Sequence, residues 1–230
     1  MIDETTPEGR LIAAAMKLAA ERPWKDVSLI EIADAADLTL ADVRTYFDGK
    51  PAIVRGFVRA VDNALLAKAR KPQPGEGPRD AIFEVVMARF DLLAPHKPAI
   101  RAIMKDADPD LSLIGSALAS QQWMLSAAGI DSSGSRGVVR TLGLASVYAS
   151  VFRTWLDDED AGMARTMAAL DRRLRRGERN LQAVEGMCET VIGFGKRLGE
   201  LVGGARRDRG PAAEKKSPAA DASPATGDSG

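Results

Sequence analysis

The sequence predicts an all-α fold built from a small N-terminal helical module and a larger helical remainder. Three observations carry that expectation. Ala, Leu, Arg, Met and Glu dominate the chain, apolar residues recur at three- and four-residue spacing, and β-branched runs with strict alternation are missing. From Pro7, the residues Leu11, Ile12, Ala15, Met16, Leu18 and Ala19 mark a first helix. Arg22-Pro23 ends it, because proline removes a backbone donor and restricts the residue before it. Ser28 with Glu31 three residues on reads as a capping box, opening a second helix through Ile32 and Ala33 that ends near Asp37. Thr39 with Asp42 repeats the device and opens a brief third helix to Phe47. Asp48-Gly49 is a turn signal, and Lys50-Pro51 starts a longer fourth helix carrying Ile53, Val54, Phe57, Val58, Val61 and Leu65.

The segment 71–78, KPQPGEGP, is a breaker that sets a first domain, 1–70, apart from a second, 78–202. In the second, helices are expected near 79–94, 97–106, 111–128, 136–156 and 162–176, separated by Pro95, Pro98, Pro109, the Ser-Gly cluster 131–135 and the acidic run 157–160. A further amphipathic helix is expected over 181–202, with glycines at Gly195, Gly199 and Gly203. Residues 203–230 hold almost no large apolar side chain, so a disordered tail is expected there.

Composition limits the chemistry. Of 230 residues 45% are hydrophobic, enough for a real core, and 32 basic residues balance 32 acidic ones, so any affinity for nucleic acid must come from local placement of charge. One cysteine, Cys188, and one histidine, His96, rule out an internal disulfide and a multi-histidine metal or catalytic centre. His96 in Pro95-His96-Lys97-Pro98 reads as a surface or capping group at a helix junction, and Cys188 as a small buried apolar residue. No strand, strained turn and helix frames a serine nucleophile, and no glycine loop follows a strand. Neither an enzyme nor a bound cofactor is expected. The polar, acidic start of the chain lacks the pattern of a secretory signal, and no apolar run reaches spanning length, so a cytoplasmic, soluble protein is the expectation.

Three short helices with a tight turn between the last two form the minimal helix-turn-helix, whose second helix of the pair is suited to a major groove. The run Leu11-Ile12-Ala13-Ala14-Ala15, then Trp24, then Val27-Ser28-Leu29-Ile30-Glu31-Ile32-Ala33, and Tyr46-Phe47-Asp48-Gly49-Lys50 resembles the TetR family of bacterial regulators in order and spacing. The resemblance covers about the first sixty-five residues. It implies that Ser28 and Lys50 hold phosphates and that Thr39, Leu40, Ala41, Arg44, Thr45 and Tyr46 face the groove, with Arg44 the residue best able to pair with guanine. It also implies a homodimer whose last two long helices, 136–156 and roughly 160–180, form a four-helix bundle, palindromic double-stranded DNA as target, repression, and a small apolar or amphipathic ligand.

The sequence departs from that pattern at Asp37, where the family has glycine, at Asp42, where it has a small or hydroxyl residue, and at Arg44, where it has tyrosine. Ten basic residues over 1–70 (Arg10, Lys17, Arg22, Lys25, Arg44, Lys50, Arg55, Arg59, Lys68, Arg70) meet eleven acidic ones, so the module is not basic. For the ligand, Phe83, Met87, Phe90, Met104, Gln121, Gln122, Trp123, Met124, Tyr148, Phe152 and Trp155 are the pocket candidates, since a few polar groups among Met and aromatic side chains suit an amphipathic molecule. The same residues at helical spacing also read as plain core. An alternative function stays open. Trp155-Leu156 through Thr166 and Leu170-Asp171-Arg172-Arg173-Leu174 resemble the C-terminal half of ubiquinone-biosynthesis proteins that keep a TetR fold and bind isoprenoid lipids. That reading makes the chain a lipid-binding accessory protein, with 181–202 and the preceding arginines as a peripheral membrane contact.

Overall fold

Thr6 starts the first helix by accepting from the Gly9 amide at 3.1 Å, with Pro7 in the first turn where its missing N–H costs nothing. In the computed structural model, which describes residues 1–70, 72–106 and 111–179, this helix is α1 (Pro7–Glu21). It is followed by a 3-10 turn (Trp24–Asp26), α2 (Leu29–Ala35), α3 (Leu40–Tyr46) and α4 (Lys50–Lys68). Both expected capping boxes form. Ser28 accepts from the Glu31 amide while Glu31 accepts from the Ser28 amide and hydroxyl, and Thr39 and Asp42 repeat the exchange. Those bonds, led by the Ser28 amide and hydroxyl and helped by Arg22, lower the Glu31 carboxyl to about 2.

The remaining elements are α5 (Pro78–Leu93), a 3-10 turn (Ala94–His96), α6 (Lys97–Asp106), α7 (Leu111–Ala127), α8 (Gly134–Leu156) and α9 (164–179). Every described residue in regular structure is helical. Of the prolines expected as breaks in the second half, Pro95 lies in the second 3-10 turn and Pro98 sits inside the first turn of α6 rather than ending anything, while Pro109 lies outside the described residues. The helix expected over 181–202, Cys188 within it, and the tail expected over 203–230 lie outside the described residues.

The helix-turn-helix core is Leu11 and Ile12 of α1, Ile32 of α2, Val43 of α3, Phe47, and Ile53, Phe57 and Val61 of α4, all buried. Burial of such side chains stabilises by roughly 1.5–3 kcal/mol each. Gly56 lets α4 cross closely, since a Cβ there would stand 2.9 Å from Phe47 Cε1 and 3.1 Å from Ile12 Cδ1. The breaker separates the two halves in sequence, but packing joins them: α1 lies on α6, α4 lies on both α5 and α7, and α7 lies on α8. The Lys25 amide donates to Asp106 Oδ2 at 3.3 Å, adding a polar tie between the first 3-10 turn and the end of α6.

Candidate functional site

The exposed side of α3 brings together most of the residues expected to face DNA. Thr39, Leu40, Ala41, Arg44, Thr45 and Tyr46 are all exposed, while Val43 and Phe47 point into the core, as a helix anchored on one face requires. Leu40 and Tyr46 are large side chains left 47% and 43% exposed on this face. Arg44 pairs with Asp48 one turn on, both largely solvated, so the guanidinium is available for exchange onto another anion. Thr45 Oγ1 donates back to Ala41 O at 2.9 Å, and the Ser28 and Thr39 hydroxyls are held by their own capping boxes.

Lys50 is placed differently from its neighbours. Its ammonium donates to the carbonyls of Trp24 and of Val27, the latter at 2.7 Å, and lies 4.4 Å from the centre of the Trp24 ring. Two of its three protons therefore fasten the start of α4 to the turn before α2, and the third is not used by these two contacts. Partial burial lowers its pKa. Asp37, at the turn where the family pattern has glycine, takes a left-handed backbone with φ of 53°. The tight turn is made, with a carboxylate at its corner.

The pocket candidates divide into three groups. Phe90, Tyr148, Phe152 and Trp155 pack on one another, with ring centres 5.3 Å apart for Phe90–Tyr148, Phe90–Trp155 and Phe152–Trp155. Phe90, Met124 and Trp155 are completely buried, and Gln121 nearly so. Phe83 and Met87 are half-buried against that core, whereas Met104 and Trp123 are 54% and 53% exposed and Gln122 is also at the surface. Trp155 Nε1 and Gln121 Oε1 are buried without a hydrogen-bond partner among the described residues, one donor within the aromatic cluster and one acceptor on α7. Lys97 covers Trp155, its ammonium 4.6 Å from the ring centre while it donates to Asp158 O at 2.7 Å.

A polar network that the sequence reading missed lies beside this cluster. Arg89 of α5, 4% exposed, is ion-paired with Asp62 of α4, 8% exposed. Its Nε donates to Tyr148 Oη of α8 at 3.1 Å, and Ser120 of α7 donates to Asp62 Oδ2 at 2.6 Å. Four helices therefore meet at one guanidinium. Burial works against the charge, yet Tyr148 and Asp62 together raise the Arg89 pKa, and burial pushes the Tyr148 phenol up. A signal for the network was present: Asp62 and Arg89 fall at apolar-face positions of their helices, next to Val61 and Leu65 and to Val86 and Phe90. Among the described residues no group of His, Cys, Asp and Glu is arranged to hold a metal ion, and no helix is long and apolar enough to cross a membrane.

No family model and no curated protein matches the chain. Solved structures do. A TetR transcriptional regulator from Nitrosomonas europaea superposes with a TM-score of 0.60 at 23% identity, over 74% of this chain and 97% of that one. Another, from a Rhodococcus species, gives 0.55 at 22% identity over 76% and 96%, and a third, from Streptomyces coelicolor, gives 0.52 at 22% over 83% and 89%. At these identities the likeness is one of architecture, and it agrees with the order of helices, the helix-turn-helix and the all-α core: the chain has the fold of the TetR-type transcriptional regulators.

Proposed function

We propose that the chain is a homodimeric, ligand-responsive DNA-binding regulator, a repressor in its action, reading palindromic double-stranded DNA with α3. The observation that carries this reading is the contiguous exposed face of α3, where Leu40, Arg44, Thr45 and Tyr46 stand clear of the core on a helix held at both ends. Thr39 caps its start, and the Lys50 clamp fixes the helix that follows. Phosphate contacts would come from Arg44, from the remaining Lys50 donor and from the amides near Ser28, and base contacts from Arg44 and its neighbours.

Dimerisation is supported by α8, whose outer face leaves Val138 and Leu142 54% exposed and Val139 43% exposed, and by Met167 of α9 at 38%. A soluble chain gains by covering such a stripe with a second copy of itself. Ligand response is supported by the ties of α4 and α1 to the second half, because a shift of α5, α6 or α7 must be passed to the helix-turn-helix. The test is selection of genomic DNA fragments by the purified chain at low salt. Enrichment of a palindrome with half-sites about one helical turn apart is the expected result, and recovery of fragments with no common sequence would refute it.

A further inference from the structure

The buried ion pair borders open space. A groove of about 440 Å³ runs between α4 and α7, with Arg55, Arg59 and Asp62 on one wall and Ser116, Ala119 and Trp123 on the other, and it reaches Tyr46, Phe47 and Asp48 at the end of α3. Asp62 thus has two sides: it faces this groove, and it holds Arg89 and Ser120 in the core. Trp123 offers a flat apolar wall that is 53% exposed. Of the charges on the groove, Asp48 is paired with Arg44 and Asp62 with Arg89, Arg59 is paired with Glu8 of α1, and Arg55 donates to the Ser112 hydroxyl at 2.5 Å. Both carboxylates are thus taken by guanidinium groups, and one guanidinium on the wall is met by a neutral hydroxyl.

We propose that this groove binds an organic carboxylate with a flat apolar body, the carboxylate taking the place of Asp62 on Arg89 and Ser120 and the body lying against Trp123 and Ala119. A guanidinium in the core accepts one carboxylate for another without a change in buried charge, and the two contacts Asp62 makes, one oxygen on Arg89 and the other on the Ser120 hydroxyl, fix the orientation of the newcomer. The displaced Asp62 has a destination, because Arg59 stands three residues earlier on the same helix face and lines the same groove. That exchange draws Arg59 from Glu8, so one ligand loosens the hold of α4 on α5 and on α1 together. The ligand class deepens the regulator reading and rests on it only for the consequence at DNA; the binding event itself does not depend on that reading.

The test is calorimetric titration of the full chain with 1-naphthoate and, as the neutral control, 1-naphthalenemethanol, both without DNA. The carboxylate is expected to bind at least tenfold more tightly than the alcohol. In Asp62→Asn, where Arg89 lacks its anionic partner, naphthoate is expected to bind about tenfold more tightly than to the wild type and to raise the melting temperature further, with the alcohol unaffected. Arg59→Gln, a change at an exposed side chain, keeps the test decisive if Asp62→Asn does not fold: it removes the receiving cation and is expected to weaken naphthoate several-fold and the alcohol not at all. No saturable binding of naphthoate, equal affinity for acid and alcohol, or an unchanged affinity in Arg59→Gln overturns the proposal. Because the titration contains no DNA, its failure leaves the DNA reading standing, and a failure to select DNA leaves the groove standing.

Discussion

Replacing Arg89 by methionine keeps an unbranched side chain of similar length in the core but removes the charge that Asp62 faces. Asp62 is 8% exposed and would keep only the Ser120 hydroxyl as a donor, and Tyr148 Oη would lose the Arg89 Nε–H that now reaches it at 3.1 Å. Breaking a buried pair from one side costs about 3–5 kcal/mol, since the remaining charge stays desolvated. The double variant Arg89→Met, Asp62→Leu removes both charges and is expected to recover most of that loss, leaving it within about 1–2 kcal/mol of the wild type. The assay is urea unfolding at one fixed protein concentration, which removes the effect of mass action on an oligomer. With a slope near 3 kcal/mol/M, the single variant should unfold at about 1–2 M less urea. A single variant as stable as the wild type, or a double variant that shows the sum of two single losses, would refute the role given to this network.

Further outcomes follow from the geometry. Arg44→Ala should weaken binding to the selected duplex by about 1–3 kcal/mol, read by fluorescence anisotropy, with an unchanged melting temperature because the Arg44–Asp48 pair is solvated; equal binding by both proteins removes Arg44 from the contact. Asp37→Gly should stabilise the chain by about 0.5–1 kcal/mol, because φ of 53° is strained for a residue with a Cβ, and a lower melting temperature would contradict that. Leu142→Glu places a charge on the exposed stripe of α8 and should convert the proposed dimer to a monomer in light scattering while helicity is kept. His96, the only histidine, lies edge-on to Phe57 of α4 with ring centres 5.1 Å apart, and burial lowers its pKa. Its folded midpoint is then below the unfolded one, so its contribution to stability is present above about pH 6.5 and is lost as pH falls through the folded midpoint. An NMR titration of the single imidazole should show a midpoint below 6.5, and a midpoint above that value would contradict its placement.

The helices and the turn between α2 and α3 were legible because their signals are local. Prolines and caps lie within four residues of the boundaries they set, and Ser28–Glu31 and Thr39–Asp42 could be paired by counting alone. Periodicity also told which side of α3 faces outward. It could not tell what stands opposite a buried position, and for that reason the partner of Asp62, twenty-seven residues away in Arg89, was not legible although both charges sit on apolar faces. The same limit applies to the ligand candidates: Met104 shares helical spacing with Ile100 yet lies at the surface, since spacing marks a stripe and not its width. Lys50 was legible as a cation at a helix start, but the carbonyls of Trp24 and Val27 that hold it are set by the three-dimensional path of the chain.

The most direct test of the account is the salt dependence and stoichiometry of binding to the duplex recovered by selection. Arg44 and Lys50 are the two cations proposed to contact DNA, so in the proposed dimer about four phosphates are neutralised and the logarithm of affinity should fall with that of salt at a slope of about −4 or shallower. Two chains per duplex, that shallow slope, and specific binding that depends on Arg44 are the expected results. One chain per duplex, or binding no tighter to the selected sequence than to random DNA at any salt concentration, would contradict it.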